Sequence, residues 1–256
     1  MSNKKFTILT ASNYGRYLDD WSSSIIAQNY RPLEVIFVND KSKDNTIEKI
    51  KKISGKFKKN GIEFKFIQPK KKLYCGSSYR LALKYATGKY FGVLDSDDML
   101  ESFSCFYIAS IYDKFPEITW LYTQYNKYNR MMTRIIKKGF CCLPPHNHNI
   151  MKAEQKGMQI FSHWRTFSVR LPKKDTIFKK KLRGCVDKYM GYRMEELGKG
   201  MFVNRICYKY RRRNSGESPI SHKEPLLKIK NKIFIEREKQ RKKEKIKCFP
   251  ILHYKN

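Results

Sequence analysis

The first hundred residues alternate between two hydrophobic periods. Phe6-Thr-Ile-Leu9 is a short apolar run, the polar stretch Ser12-Asn-Tyr-Gly15 follows, and Leu18, Trp21 and Ile25 then recur at helical spacing. After Pro32, Glu34 to Val38 gives a second buried strand rich in β-branched residues, and beyond the polar segment 40–44, Ile47, Ile50 and Ile53 mark a second amphipathic helix. Residues 63–67 and 78–86 repeat the pair. A fourth strand, 90–94, runs straight into Asp95-Ser-Asp-Asp98. This alternation predicts an α/β fold with parallel strands joined by right-handed crossovers. Ligands in such sheets sit outside the carboxyl ends of the strands, so the polar clusters Thr10–Asn13, Asn39-Asp40 and Asp95–Asp98 are expected to converge on one crevice.

Past residue 100 the pattern loosens. Phe103 to Phe115 reads as a helix, Trp120 to Thr123 as a strand and 139–150 as an irregular loop. A helix is expected over Asp187 to Leu197, with Tyr189, Met190, Met194 and Leu197 on its apolar side. From Ser215 the chain is lysine-rich and reads as a partly exposed helix or tail. The expected organisation is a ligand-binding half over 1–100, a second half of the same domain over 101–215 and a basic C-terminal extension over 216–256.

Hydrophobic residues make up 41% of the 256 and aromatics 14%, which excludes a wholly disordered chain. No apolar window is long enough for a spanning helix, and the apolar stretch at the N-terminus is too short for a signal peptide. Seven scattered cysteines, an odd number, argue against a closed disulfide framework and point to a reducing, cytoplasmic setting. The formal net charge is +32. Residues 223–247 carry 11 Lys/Arg and 4 Glu, so most of the excess lies elsewhere, as a general lysine bias would leave it. That spread disfavours a nucleic-acid partner, although the basic surface suits an anionic membrane face or a sugar-phosphate substrate.

Among only 23 acidic residues, three fall within Asp95–Asp98 at the end of a buried strand. Hard divalent cations need oxygen ligands, and such a turn brings two or three carboxylates together for a cation and a diphosphate. The plainer alternative is an acidic turn that caps the next helix.

Thr10 to Tyr14, Gln28 to Thr46, Gly76 to Gly88 and Asp95 to Asp98 occur in an order and spacing that closely resembles the inverting family 2 glycosyltransferases, over roughly residues 4–215. The resemblance implies a GT-A-like single domain with a mostly parallel central sheet flanked by helices, and a basic C-terminal extension. It implies transfer of a sugar from a nucleotide-sugar donor, a UDP-sugar in the first instance, to the hydroxyl of a glycan or glycolipid acceptor. It assigns Thr10, Ala11 and Asn13 to the nucleotide pocket, Asp40 to the base, Asp95 and Ser96 to the donor, and Arg80 to the diphosphate or sugar. Mn²⁺ or Mg²⁺ would be held at Asp97 and Asp98, one of them directly, with His163 on the metal or the diphosphate, or else packed beside Trp164, and Asp97 also belongs to the donor set. Asp187, opening its helix, matches the catalytic base that an inverting transfer requires; a helix cap is the alternative for the same residue. His222 and Arg211 to Arg213 resemble a closing loop over the donor. Asn39, Lys41, Ser12 and Leu81 depart from the usual residues at their positions. Cys141-Cys142 with His146 and His148 lacks the usual zinc spacings. Two other classes stay open on sequence grounds: a nucleic-acid-binding or nucleotidyl-transferring protein, and a non-catalytic sugar-binding module.

Overall fold

The computed structural model describes residues 4–139, 141–145, 148–213 and 226–254. The expected strands and helices of the first half are present: β1 (Phe6–Ser12), α1 (Leu18–Ile26), β2 (Leu33–Asn39), α2 (Thr46–Lys59), β3 (Ile62–Ile67), α3 (Tyr74–Tyr85) and β4 (Tyr90–Val93). They form the parallel run β4-β1-β2-β3, and β2 is buried along its whole length. A strand covered on both faces has no polar side to alternate with, which is why β2 reads as a continuous apolar run. Register fixes where the polar clusters fall. Ser12 at the end of β1 pairs with Asn39 at the end of β2, and Leu9 pairs with Val93 at the end of β4, so all three strands finish on one edge.

The second half adds β5 (Met99–Leu100), α4 (Ser104–Lys114), β6 (Trp120–Tyr128), β7 (Ile135–Lys138), α5 (Ile150–Gln155), β8 (Arg165–Ser168), α6 (Val186–Leu197) and β9 (Gly200–Arg211). β8 enters the centre of the sheet, antiparallel to both β4 and β6. Its first residue, Arg165, lies opposite Val93, the last residue of β4, so the chain just before β8 arrives beside the acidic turn. Gly92 makes room for that entry, since a Cβ there would lie 2.3 Å from the Trp164 ring. Trp164 fills the space instead and donates from Nε1 to the Val93 carbonyl at 3.1 Å. β9 runs parallel to β6 and carries Tyr208, Tyr210 and Arg211 to the same edge.

The C-terminal segment is more closely built into the fold than a tail. α7 (Leu226–Glu244) packs on α6, and β10 (Ile251–Tyr254) extends the sheet parallel to β9. Arg237 and Arg241 are buried against Glu195 and Glu196 of α6. The sheet order is β10-β9-β6-β8-β4-β1-β2-β3, so strands from all three expected segments share one sheet. Among the described residues no helix is long and apolar enough to cross a membrane.

Candidate active site

The three polar strand ends meet in a cleft of about 330 Å³ at the carboxyl edge of the sheet. Ala11, Ser12, Asn13, Asp40 and Asp95 to Asp98 line one side. His163, Arg165, Tyr210 and Arg213 line it beside the acidic turn, and Cys185, Val186 and Asp187 contribute from the start of α6.

The acidic turn is held by partners far away in sequence. Asp95 accepts hydrogen bonds from Tyr79 Oη and, at 2.9 Å, from Arg165 Nη2; His163 Nε2 lies 3.9 Å from the same carboxylate. Burial alone would raise its pKa, but the charge of Arg165 with the contacts from His163 and Tyr79 outweighs it and holds Asp95 well below the usual carboxylate range. Asp98 accepts from Tyr208 Oη and from the Arg211 backbone N–H, each at 2.7 Å. Burial, then the neighbouring Asp97 and Asp95, pushes Asp98 well above its ordinary value. Asp97 turns the other way, pairing with Arg213 Nε at 3.0 Å, and Arg213 also donates to Tyr14 Oη. Burial raises Asp97 too, against the pull of Arg213.

Among the described residues, Asp95, Asp98 and His163 bring one ligand atom each within 4.8 Å of one another. The expected metal set was Asp97, Asp98 and His163. Asp95 takes the place of Asp97 in this triad, because the turn directs Asp97 at Arg213 and Tyr14. The donor chemistry suits a divalent cation. Crowded buried carboxylates are what such a charge relieves, and burial followed by Arg165 lowers the His163 pKa, favouring the neutral imidazole that ligation needs. His163 Nδ1 is hydrogen-bonded to Ser162 Oγ at 2.7 Å, which orients the ring with Nε2 toward Asp95.

Several sequence-assigned residues sit differently from their expected contacts. Thr10 is fully buried beneath the cleft, donating to the Leu94 carbonyl and accepting from Trp21 Nε1. Asp40 lines the cleft, but its two oxygens accept the backbone N–H groups of Leu73 and Tyr74 at 2.6 and 2.8 Å, pinning the start of α3. Arg80 lies outside the cleft: its guanidinium meets Asp175 at 3.0 Å on the far face of α3. One residue along a helix is a turn of about 100°, so Tyr79 points into the cleft and Arg80 away from it. Ser96 donates to Ser12 Oγ and ties the acidic turn to the end of β1. His146 and His222 fall outside the described residues.

Asp187 stands in the first turn of α6, partly exposed and facing the cleft. The N-cap of α6 is Cys185 and no side chain caps it, so Asp187 does not act as a helix cap. Sequence reasoning missed Arg165, Tyr79 and Tyr208 as site residues. The available signal for Arg165 was an arginine beside His163-Trp164 in a chain that otherwise favours lysine.

Residues 7–102 match the family described as Glycosyl transferase family 2. That match takes in the four strands of the parallel run and the acidic turn that follows them. Over 200 residues, 78% of its length, it is 29% identical to a chondroitin synthase of Pasteurella multocida, and over 204 residues it is 28% identical to a chondroitin synthase of Escherichia coli. It spans 20% and 28% of the lengths of those two relatives. The S. aureus TarS 1–349 structure, in complex with UDP-GlcNAc, superposes with a TM-score of 0.68 at 17% identity, covering 91% of this chain and 66% of that one. The fold of this chain is therefore the GT-A fold.

Proposed function

We propose that the protein transfers a sugar from a nucleotide-sugar donor, a UDP-sugar first among the candidates, to a glycan hydroxyl with inversion at the anomeric carbon. The observation that carries this reading is the juxtaposition, in one cleft, of the Asp95–Asp98–His163 group with a separate carboxylate, Asp187. The TarS structure holds UDP-GlcNAc on the same fold, which supports a uridine nucleotide. A mannosyltransferase of Pyrobaculum calidifontis, TM-score 0.60 at 14% identity over 84% of this chain and 59% of that one, holds GDP-Man and Mn²⁺. Its ligands make GDP the control nucleotide.

Asp95, Asp98 and His163 would hold the divalent cation, which when bound offsets charge on the departing diphosphate. Ala11, Ser12 and Asn13 line the donor side of the cleft, and Asp40 keeps the α3 start in place at its rim. Asp187 takes the proton from the acceptor hydroxyl as that oxygen bonds to the anomeric carbon and the bond to the diphosphate oxygen breaks. Its carboxylate has no side-chain hydrogen bond or ion pair among the described residues, so it is available to a substrate. General-base catalysis contributes about 10²–10⁴-fold. Asp187→Asn is therefore expected to lower kcat by at least about 10² while UDP binding, followed by calorimetry, stays as in the parent. Full turnover in that variant would overturn the base assignment; loss of UDP binding would place Asp187 in the donor site instead.

A further inference from the structure

α3 separates two cavities. Cys75, Ser78 and Tyr79 face the cleft, whereas Ser77, Arg80, Leu81 and Lys84 face a second hollow of about 700 Å³. Lys173, Lys174 and Lys180 complete its rim, so five of its ten lining residues are cations, against 55 in 256 for the whole chain. The one acid among its described lining residues, Asp175, is already paired with Arg80. The general lysine bias does not account for that concentration.

We propose that this hollow binds an anionic polysaccharide, the acceptor or growing product of the transfer, through its carboxylate or phosphate groups. The inference rests on the glycosyltransferase reading for the polymer's identity and on the hollow's own chemistry for its charge. Three observations select this occupant. The hollow is concave with leucine side chains among the cations, which fits a chain of sugar width better than the flat surface of a bilayer. Among the described residues no aromatic lines it, so there it lacks the stacking platforms by which single-stranded nucleic acids are held. It also adjoins the cleft around the start of α3: Leu73 lines the hollow while its neighbours Lys72 and Tyr74 line the cleft, and Arg183 stacks on Tyr74 at 4.1 Å on the cleft side. Cations therefore continue from the hollow to the cleft.

The test is binding at about 0.15 M salt, where exposed charges more than about 8 Å apart are screened. The labelled probes are oligogalacturonate and a glycerol-phosphate oligomer, with dextran, a single-stranded DNA oligonucleotide and phosphatidylglycerol vesicles beside them. The hollow variant is Lys84→Glu with Lys174→Glu and Lys180→Glu. A variant of equal net charge, Lys51→Glu with Lys52→Glu and Lys58→Glu, alters exposed positions of α2. The expected result is that the parent binds at least one anionic glycan and not dextran. The hollow variant weakens that binding about tenfold or more and the α2 variant less than about twofold, with melting temperature and UDP binding alike in all three. Which probe binds tells carboxylate from phosphate. The proposal is overturned if neither glycan binds, if both variants weaken binding equally, or if the hollow variant chiefly loses DNA or vesicles. Absence of UDP binding in the parent would sink the donor reading separately, because glycan binding is read without turnover.

Discussion

Arg165 is the principal counter-charge of Asp95 in the acidic turn. Its side chain is buried at the head of β8, and its guanidinium is the main positive charge opposing the cost of burying Asp95. Asp95 keeps about a third of its side chain exposed, so losing its arginine leaves a partly solvated carboxylate, at about 1–3 kcal/mol. Arg165→Met is thus expected to lower stability by that amount in a urea titration, and a change below about 1 kcal/mol would show that Asp95 is not held by this arginine. Glu34 makes a comparable case away from the cleft. Its carboxylate, buried in β2, accepts from Thr7 Oγ1 at 2.6 Å, from the Thr87 backbone N–H at 2.8 Å and from Thr87 Oγ1 at 2.9 Å. Burial would raise its pKa; these hydrogen bonds and Lys65 overcome that and lower it from 4.5. A depressed folded-state pKa means stability that is present above pH 4.5 and lost as the pH falls through the folded value. Glu34→Gln should cost about 1–3 kcal/mol at neutral pH, and the difference from the parent should shrink below that pH. A pH-independent difference would contradict the assignment.

At the scale of elements, α6 is both the mounting for Asp187 and the contact through which the C-terminal segment docks. Glu195 and Glu196 end this helix buried; Arg241 of α7 reaches both of them and Arg237 reaches Glu196. Glu195 also accepts the Ile150 N–H at the start of α5 at 2.7 Å, and its own carbonyl takes the Phe249 N–H. Arg241→Ala removes contacts to both glutamates at once. It should destabilise the protein by about 3–5 kcal/mol and speed proteolytic clipping within α7. Unchanged stability would mean that α7 packs by its apolar contacts alone. Little of this docking was legible in the sequence, where α7 is a run of charge with a weak apolar face. Among the described residues the buried cations, Arg165, Arg211, Arg237 and Arg241, are all arginines. The planar guanidinium, with several donors, satisfies carboxylates more readily in a buried setting than a lysine ammonium does. In a lysine-biased chain the arginines were the signal.

At the scale of the molecule, the strand and helix periods of the first hundred residues gave the parallel half of the sheet, and register brought its polar ends together as expected. The rest of the site came from elements too short to show a period. β5 has two residues and β8 four, yet they bring Tyr208 and Arg211 beside Asp98, and Arg165 beside Asp95. Such contacts join residues 70 to 113 positions apart, which local pattern does not reveal. Arg80 and Thr10 show a subtler limit: their motif was recognisable, but one step of helix or strand geometry decides which side chain faces the ligand.

The proposed transfer requires that this cleft bind a uridine nucleotide together with a divalent cation. The most direct measurement is the melting temperature with UDP and Mn²⁺, repeated with EDTA, with GDP, and in Asp98→Asn, whose amide oxygen can still accept a hydrogen bond. At about 100 times its dissociation constant a ligand stabilises by roughly 2.7 kcal/mol, or about 5–10 °C for a chain of this size. The prediction is a shift of that order with UDP and Mn²⁺, smaller with GDP, and lost with EDTA and in the variant. A melting temperature unmoved by UDP, or moved equally with and without the metal and in Asp98→Asn, would contradict it.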